Sequence, residues 1–358
     1  MKLLDLTLRE GEQRPGVEYT VDEKVEAVRE LDALGVDYVQ VGFPVADDRT
    51  KHVCERVTLD AKTTGIARAI PSDVEAAIDA DVDVVNVFAP TSTRQLEYVL
   101  GTSRESMLES VADAGDLARA HGLEVHFDAM DGFRTEPPVL DEAFDAIDAE
   151  YYTIADTVGS RTPAGVVDHL ESLSTDRSRI GVHFHDDLGV SVANTLAASR
   201  LGVAKADVSV GGLGERAGNA SLEEVVVGTA VGEGPAETHV DESELLPRSN
   251  AVLDALGESV DPSKALLGDR VFSHESGLHT AAILDDPSTF EPFDPARFGG
   301  TRRLLFGSST GRGAARRLLE RAGREPTEDR VRALLEALDA AAQELTLAEA
   351  TALARRID

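Results

Sequence analysis

Two histidines separated by one residue are the clearest sign of chemistry in this sequence. His183 and His185 lie in a short apolar run that reads as a β-strand, and alternate residues of a strand point to the same face. Two imidazoles on one face can bind a divalent cation, and a carboxylate completes a mixed nitrogen and oxygen ligand set. Glu10, just after the first predicted strand, can supply that carboxylate. The alternative is that the neighbouring acids Asp186 and Asp187 satisfy the two histidines.

Two further residues extend this candidate site. Arg9 directly precedes Glu10, and an arginine beside a metal can hold an oxo acid or stabilise an enolate oxygen as charge develops. A surface salt bridge is the alternative for Arg9. Asn219 lies in the glycine-rich turn Gly211–Ala220 and can add an amide oxygen ligand. An asparagine in such a turn is also typical of left-handed backbone geometry.

The elements that must position these side chains alternate along the chain. Short runs rich in Val, Ile and Leu are separated by amphipathic segments with helical spacing. Strands are predicted at Lys2–Leu6, Tyr38–Gly42, Thr63–Ala67, Val82–Phe88, Leu123–Asp128, Tyr151–Ile154, Ile180–His185 and Asp207–Val210. Eight strand–helix units predict a (β/α)8 TIM barrel, in which active residues lie at the C-terminal ends of the strands. An open doubly wound sheet is the alternative, and the lack of a first-turn G-x-G-x-x-G argues against it.

The rest of the chain is predicted to be smaller and mainly helical. We assign residues 1–235 to the barrel, 236–306 to a linker and loop-rich subdomain, and 307–358 to a helical C-terminal subdomain. The stretch from Gly232 to Pro262 carries several acids and prolines and reads as an irregular connection. Beyond it, helices are predicted at Thr310–Ala322, Thr327–Ala342 and Leu347–Arg356.

Composition excludes several classes of partner. The chain has 66 acidic and 35 basic side chains and a net charge of −31, so neither nucleic acid nor an anionic membrane is expected as a partner. Only six lysines accompany 29 arginines, a surface typical of adaptation to high salt. Cys54 is the single cysteine, and neither a signal-peptide pattern nor an apolar run of membrane-spanning length is present. These features predict a cytoplasmic protein.

The motifs taken together resemble a known family. The segments that carry the resemblance are Asp5–Gln13, Val41–Pro44, Ala155–Gly159, His183–Gly189, Asn194, Gly214–Asn219 and Phe272–His279. They are similar to the homocitrate, 2-isopropylmalate and citramalate synthases, which are metal-dependent Claisen-condensing TIM barrels, and the resemblance covers nearly the whole chain. The specific part is Gly-Glu-Arg-Ala-Gly-Asn at 214–219, because related aldolases and lyases do not usually share this turn.

The resemblance implies an enzyme that condenses acetyl-CoA with a 2-oxo acid and releases CoA. Arg9 matches the family's essential arginine, and His279 matches a histidine that is implicated in proton transfer and often serves the neighbouring subunit. A divalent cation (Mg²⁺, Mn²⁺ or Zn²⁺), acetyl-CoA as co-substrate and a homodimer are implied as well. The family's metal positions are matched by Glu10, His183, His185 and Asn219.

Four residues are candidates for substrate binding: Gln13, Arg134, Thr135 and Thr157. The segment Asp131–Thr135 is similar to a pattern of lysine-pathway homocitrate synthases, and its arginine can clamp the distal carboxylate of 2-oxoglutarate. A structural ion pair is the alternative for Arg134. The chain also stops near residue 358, without the extra domain of leucine-pathway synthases. These features favour 2-oxoglutarate over 2-oxoisovalerate and pyruvate.

Several pocket positions depart from the family's pattern. Met130 and Gln40 stand where glutamates are expected, and Phe290 stands where a tyrosine is expected. Asp128 faces the same side of strand five as Met130, roughly 6–7 Å below it. We hypothesise that Asp128 supplies the missing carboxylate; an aspartate paired with His126 is the alternative. The departures also leave two other functions open, a related metal-dependent aldolase or lyase and a non-catalytic paralogue that binds metal.

Overall fold

Eight parallel strands close into a barrel in the computed structural model, which describes residues 1–232, 234–275 and 277–358. Each strand pairs with the next, and the eighth returns to the first with Leu4 opposite Asp207. The (β/α)8 barrel is therefore confirmed, and the open sheet is excluded. In chain order the strands are β1 (Lys2–Asp5), β2 (Tyr38–Gly42), β3 (Lys62–Arg68), β4 (Val84–Pro90), β5 (Glu124–Met130), β6 (Tyr151–Asp156), β7 (Ile180–Phe184) and β8 (Lys205–Val208).

A helix follows each of the eight strands. The longer ones are Val21–Leu34, Arg49–Cys54, Pro71–Asp79, Arg104–Ala120, Pro137–Asp145, Pro163–Glu171, Ser191–Ser199 and Leu222–Val231. Short helical turns are Thr7–Glu10, Gly11–Gln13, Thr93–Gln95, Leu96–Leu100, Gly132–Arg134, Arg177–Arg179 and Val210–Gly212. Among the described residues, no helix combines the length and apolar character that crossing a bilayer requires.

The barrel strands are buried on both faces, as expected where helices surround a parallel sheet. Every residue of β2 and of β7 is buried. Towards the N-terminal ends of the strands, the rings of Tyr38, His126 and Tyr151 pack edge to face with centroids 5.0 to 6.3 Å apart. These rings fill one end of the barrel, so the polar cavity lies towards the C-terminal ends, where barrel enzymes place their active sites.

Internal contacts divide the chain into two compact units. The first, Met1–Asp241 with Pro247–Ser259, contains the barrel, and the second is Glu242–Leu246 with Val260–Asp358. The predicted helical C-terminal region is confirmed, whereas the boundaries at 235/236 and 306/307 stay a prediction. The second unit contains β9 (Ser273–His274), β10 (Arg303–Phe306), β11 (Leu345–Thr346), the helices Gly277–Asp285, Arg312–Arg321, Glu328–Asp339 and Leu347–Arg355, and the turns Glu242–Glu244, Pro287–Thr289 and Pro295–Phe298.

Two helices lie where the sequence analysis predicts irregular chain, and that prediction is wrong there. The helix Leu245–Ala255 contains Pro247, but the proline lies in the first turn, where its missing N–H would have no partner within the helix. The helix Gly277–Asp285 opens on a glycine, a residue more typical of the end of a helix than of its start. The prolines of the stretch from Gly232 to Pro262 indicated irregular chain, but a proline in the first turn does not break a helix.

Candidate active site

Three buried side chains meet at the C-terminal ends of the strands. His183 ends β7 with Phe184, His185 follows directly, and Glu10 lies on the short helix after β1. One ligand atom from each of Glu10, His183 and His185 lies within 4.8 Å of the others. The Nε2 atoms of the two histidines are 3.2 Å apart. The structure thus brings together three of the four predicted metal ligands around one point.

Charge and burial keep His185 and Glu10 in the states that bind a cation. Burial, with His183 beside it, lowers the pKa of His185 to about 3, so its imidazole is neutral at physiological pH. Burial alone would raise the pKa of Glu10, but Arg9 and the two histidines outweigh it and hold that pKa below its ordinary value. A neutral imidazole and an ionised carboxylate are the forms that ligate metals.

A second, deeper pair orients one of the histidines. The Nδ1 atom of His183 lies 3.4 Å from Oδ2 of Asp207, and Oδ1 of Asp207 accepts a hydrogen bond from Lys205 Nζ at 2.8 Å. Burial acts to raise the pKa of Asp207, yet Lys205 and His183 hold it below its ordinary value. A carboxylate beside Nδ1 favours the tautomer that leaves Nε2 free for a metal.

The fourth predicted ligand, Asn219, lies in the glycine-rich turn after β8. Its backbone pairs with that of His185, and its amide oxygen is buried without a hydrogen-bond partner among the described residues. The turn depends on Gly218, whose φ is +96° and where a Cβ would lie 2.0 Å from the carbonyl oxygen of Gly212. Two imidazoles, a carboxylate and an unpaired amide oxygen fit the mixed donor set of a divalent cation.

The turn after β1 fixes the neighbouring arginine. Asp5 accepts hydrogen bonds from the backbone N–H and the hydroxyl of Thr7, each at 2.9 Å, and Val210 N–H donates to the same hydroxyl at 2.8 Å. Asp5 is completely buried, and burial raises its pKa to about 7. These bonds join the ends of β1 and β8, so the helix that carries Arg9 and Glu10 starts from a fixed position.

Arg9 is held by three side chains. Its Nε donates to Gln40 Oε1 at 2.6 Å, and its guanidinium forms an ion pair with Glu10. With the amide of Gln13 assigned from its neighbours, Gln13 donates to Glu10 at 2.8 Å and accepts from Arg9 at 3.1 Å. Because Gln40 is neutral, only Glu10 opposes the arginine charge within this group.

One cavity of about 270 Å³ is lined by the three clustered side chains and by Arg9, but not by the predicted ligand Asn219. Two other predicted residues, Asp128 and Thr157, reach it, and Asn86 Nδ2 lies 3.1 Å from an oxygen of Asp128. The predicted alternative partner of Asp128, His126, bonds instead to Glu124 at 3.0 Å. The cavity is lined by Arg9, Glu10, Gln13, Ile66, Phe88, Asp128, Met130, Thr153, Ala155, Thr157, His183, His185, Asp207 and Glu215.

Three predicted site residues lie elsewhere. Arg134 and Thr135 line a neighbouring cleft, where Arg134 forms a bidentate ion pair with Asp131 at 2.7 and 2.8 Å. His279 belongs to the second unit, on the helix Gly277–Asp285, with its ring 4.0 Å from that of Phe290 between centroids. Nothing in the geometry of the first unit bears on the role of His279, which stays a prediction.

Sequence reasoning missed Lys205 and Asp207 as parts of the site. The signal was present, because Lys205, Asp207 and Ser209 are polar residues at alternate positions of an apolar run. The strand was predicted to begin at Asp207, whereas β8 is Lys205–Val208. With the strand placed two residues late, its inward polar face was not recognised.

Two family models match this chain. The HMGL-like family model matches residues 1–252, and a model described as homocitrate synthase post-HMGL domain-like matches residues 266–346. The chain belongs to the HMGL-like family, and the resemblance drawn from its motifs is confirmed.

Relatives are named as synthases. The chain is 40% identical to homocitrate synthase AksA of Methanopyrus kandleri over 94% of this chain and 86% of that protein. It is also 40% identical to a probable 2-isopropylmalate synthase of the same organism, over 92% and 68%. A third M. kandleri relative, which carries the name of an (R)-citramalate synthase, is 39% identical over 94% and 68%. The prediction of a condensing enzyme agrees with these names.

Solved structures support the fold alone. The HMG-CoA lyase of Bacillus subtilis superposes with a TM-score of 0.65 at 20% identity, covering 74% of this chain and 96% of that one. The hydroxymethylglutaryl-CoA lyase of Pseudomonas aeruginosa gives a TM-score of 0.64 at 24% identity, covering 72% and 93%.

Proposed function

We propose that this protein is a metal-dependent acyltransferase that condenses acetyl-CoA with a 2-oxo acid and releases free CoA. The observation that carries the proposal is the single cavity in which Arg9 faces the cluster of Glu10, His183 and His185. Relatives named as homocitrate and 2-isopropylmalate synthases support it. The chain is equally identical to both relatives, at 40%, so sequence identity does not indicate which 2-oxo acid is the substrate.

Binding of the oxo acid uses the polar side of the cavity. A divalent cation held by Glu10, His183 and His185, with Asn219 as a further proposed ligand, polarises the keto carbonyl when bound. Arg9 lies beside this cluster and stabilises the negative charge that develops on the keto oxygen. Since Gln40 and Gln13 hold the guanidinium in place, little reorganisation is needed as that charge appears.

Carbon–carbon bond formation requires the acetyl methyl group to lose a proton. Asp128 faces the cavity and can accept that proton, and His279 is the second candidate by resemblance. The enolate carbon then attacks the keto carbon, and the keto oxygen takes up a proton to become the 2-hydroxyl group. Water cleaves the thioester, which gives a carboxylate and the thiol of CoA, so the reaction balances without an oxidant or reductant.

Several finer features belong to the same proposal. The cation is Mg²⁺, Mn²⁺ or Zn²⁺, all of which accept two imidazoles and oxygen ligands. Gln13 and Thr157 contact the oxo acid from the cavity wall, the enzyme works in the cytoplasm, and it assembles as a homodimer. The sequence pattern around Arg134 favours 2-oxoglutarate among the oxo acids, whereas the ion pair of Arg134 with Asp131 and its absence from the cavity lining count against that preference.

The test is thiol release from acetyl-CoA by metal-stripped protein reloaded with Mn²⁺ or Mg²⁺ in high salt. 2-Oxoglutarate, 2-oxoisovalerate and pyruvate are offered in turn, and we expect release that depends on both the metal and one of these acids. His183→Ala should reduce the rate by at least about 100-fold. The exposed His121 provides the matched control, His121→Ala, which should keep full activity.

Three negative results separate the other functions. If a folded, metal-loaded protein released no thiol from acetyl-CoA with any of the three acids, that result would contradict the proposal. Cleavage of a 2-hydroxy acid without CoA release would favour an aldolase or lyase. Metal binding without any turnover would favour a non-catalytic paralogue.

A further inference from the structure

The cavity has two chemically different sides. Its metal side comes from β1, β7 and β8 and contains the charged cluster around Glu10. The opposite side comes from β3, β4, β5, β6 and the turn after β6. Four of its seven described lining residues are apolar (Ile66, Phe88, Met130 and Ala155), and the other three are Asp128, Thr153 and Thr157. An oxo acid whose carboxylate and keto oxygen lay beside Glu10, His183 and His185 would therefore direct its remaining side chain towards this opposite wall.

Charge on this wall disfavours a second carboxylate. Among the described residues that line the cavity, Arg9 is the only arginine or lysine, and it is already bound on the metal side by Glu10 and Gln40. The other charged lining groups besides the histidines are acids, and the one on the apolar side is Asp128. A distal carboxylate would lose its hydration, find no cation and lie near a like charge.

Arg134, the predicted partner of a distal carboxylate, forms an ion pair with Asp131 instead. Both Nε and Nη2 of Arg134 donate to Asp131, which is only 1% exposed. Asp131 is fixed in turn by Ser92 and by its own N–H, which donates to Thr157 Oγ1 at 2.8 Å. Moving Arg134 to a substrate would leave a buried carboxylate without its cation, which is costly.

Resting on the proposed function, we infer that the enzyme selects a 2-oxo monocarboxylic acid with a short, uncharged side chain, and that Met130 and Asp128 determine this specificity. Met130 presents an apolar side chain at the end of β5, and Asp128 adds a negative charge on the same face of that strand. The inference departs from the preference for 2-oxoglutarate that the sequence suggests.

Binding to the Mn²⁺-loaded full-length protein without acetyl-CoA tests the inference independently of turnover. Calorimetry with pyruvate, 2-oxobutyrate, 2-oxoisovalerate and 2-oxoglutarate should show at least one monoacid binding about 100-fold more tightly than 2-oxoglutarate. Equal or tighter binding of 2-oxoglutarate overturns the inference, even if CoA is released. If no acid supports CoA release, the proposed function is wrong. The order in which the four oxo acids bind still tests the inference in that case. Failure of all four acids to bind overturns both.

Substitution of Met130 tests the wall directly. Met130→Lys supplies a cation and neutralises Asp128, so the affinity for 2-oxoglutarate relative to 2-oxoisovalerate should rise about 10-fold. The volume-conserving Met130→Leu is the matched control and should keep the wild-type order. Asp128→Asn should shift the same affinity ratio towards 2-oxoglutarate whatever it does to turnover. An unchanged ratio in both Met130→Lys and Asp128→Asn overturns the assignment of these two residues.

Discussion

Lys205, Asp207 and His183 form a buried chain that ends at the candidate metal centre. The Asp207 carboxylate lies between Lys205 Nζ at 2.8 Å and His183 Nδ1 at 3.4 Å. We predict that Asp207→Asn weakens Mn²⁺ binding by about 10- to 100-fold, because the imidazole loses the carboxylate that orients it. Metal titration by calorimetry at constant salt measures the change.

Asp73→Asn is the control for this substitution. Asp73 is another buried aspartate, on the helix Pro71–Asp79, but it pairs with Arg68 and does not line the cavity. Its replacement should leave the affinity for Mn²⁺ unchanged in protein that remains folded by circular dichroism. If Asp207→Asn bound Mn²⁺ as tightly as the wild type, Asp207 would not orient the ligand.

At the scale of residues, the sequence predicted those site residues whose spacing along a strand determines the face to which their side chains point. His183 and His185 share a face because a strand alternates, and Glu10 follows a strand whose end was clear. The partner of Arg134 was not predictable in the same way. Whether an arginine binds substrate or the buried Asp131 three residues earlier depends on packing around both groups, which no local pattern records.

At the scale of elements, the N-terminal ends of the strands contain a polar cluster that stabilises the barrel. Glu124 of β5 binds His126 at 3.0 Å and forms an ion pair with Lys62 of β3. The hydrogen bond from His126, together with Lys62, lowers the pKa of Glu124 from 4.5 to about 2. A depressed carboxylate pKa contributes stability that is present above pH 4.5 and is lost as the pH falls towards 2.

We therefore predict that Glu124→Gln lowers the free energy of unfolding at pH 7 by about 1–2 kcal/mol, after allowance for partial solvent screening. The variant should also lose less stability than the wild type between pH 4.5 and 3. Urea unfolding at several pH values and fixed salt measures both effects. Glu55→Gln, at an exposed position, is the control and should follow the wild-type curve. Parallel pH curves for Glu124→Gln and the wild type would contradict the assignment.

Elements were predictable where both of their ends carry chemical signals. The helix Val21–Leu34 carries such signals at both ends, because Thr20 and Glu23 form a capping box and Gly35 ends it in the left-handed region. The helix Leu245–Ala255 was missed because a proline lies in its first turn, although Gly257 just beyond its end has a φ of +65°. Strand ends were less certain, because the burial that sets them depends on neighbouring strands.

At the scale of the whole molecule, charge sets the conditions under which the fold is stable. With 66 acidic and 35 basic side chains, pairing every basic group would still leave an excess of 31 negative charges. Salt weakens both the attraction within ion pairs and the repulsion among the excess acidic groups. Because each exposed ion pair contributes little to stability, we expect the loss of repulsion to have the larger effect and salt to stabilise the fold. The Debye length falls from about 10 Å at 0.1 M to about 3 Å at 1 M salt, which shortens the range of that repulsion.

We predict that the melting temperature rises by about 5–10 °C between 0.1 M and 2 M KCl, as expected if a few kcal/mol of repulsion are removed from a chain of this size. Differential scanning calorimetry over a KCl series measures the rise. Sucrose at matched osmolarity is the control, since it favours compact states without screening charge. A melting temperature that stays constant or falls with KCl would mean that ion pairs dominate the electrostatics, because their screening lowers stability. An equal rise in sucrose would mean that solvent exclusion from the protein surface, and not charge, accounts for the effect.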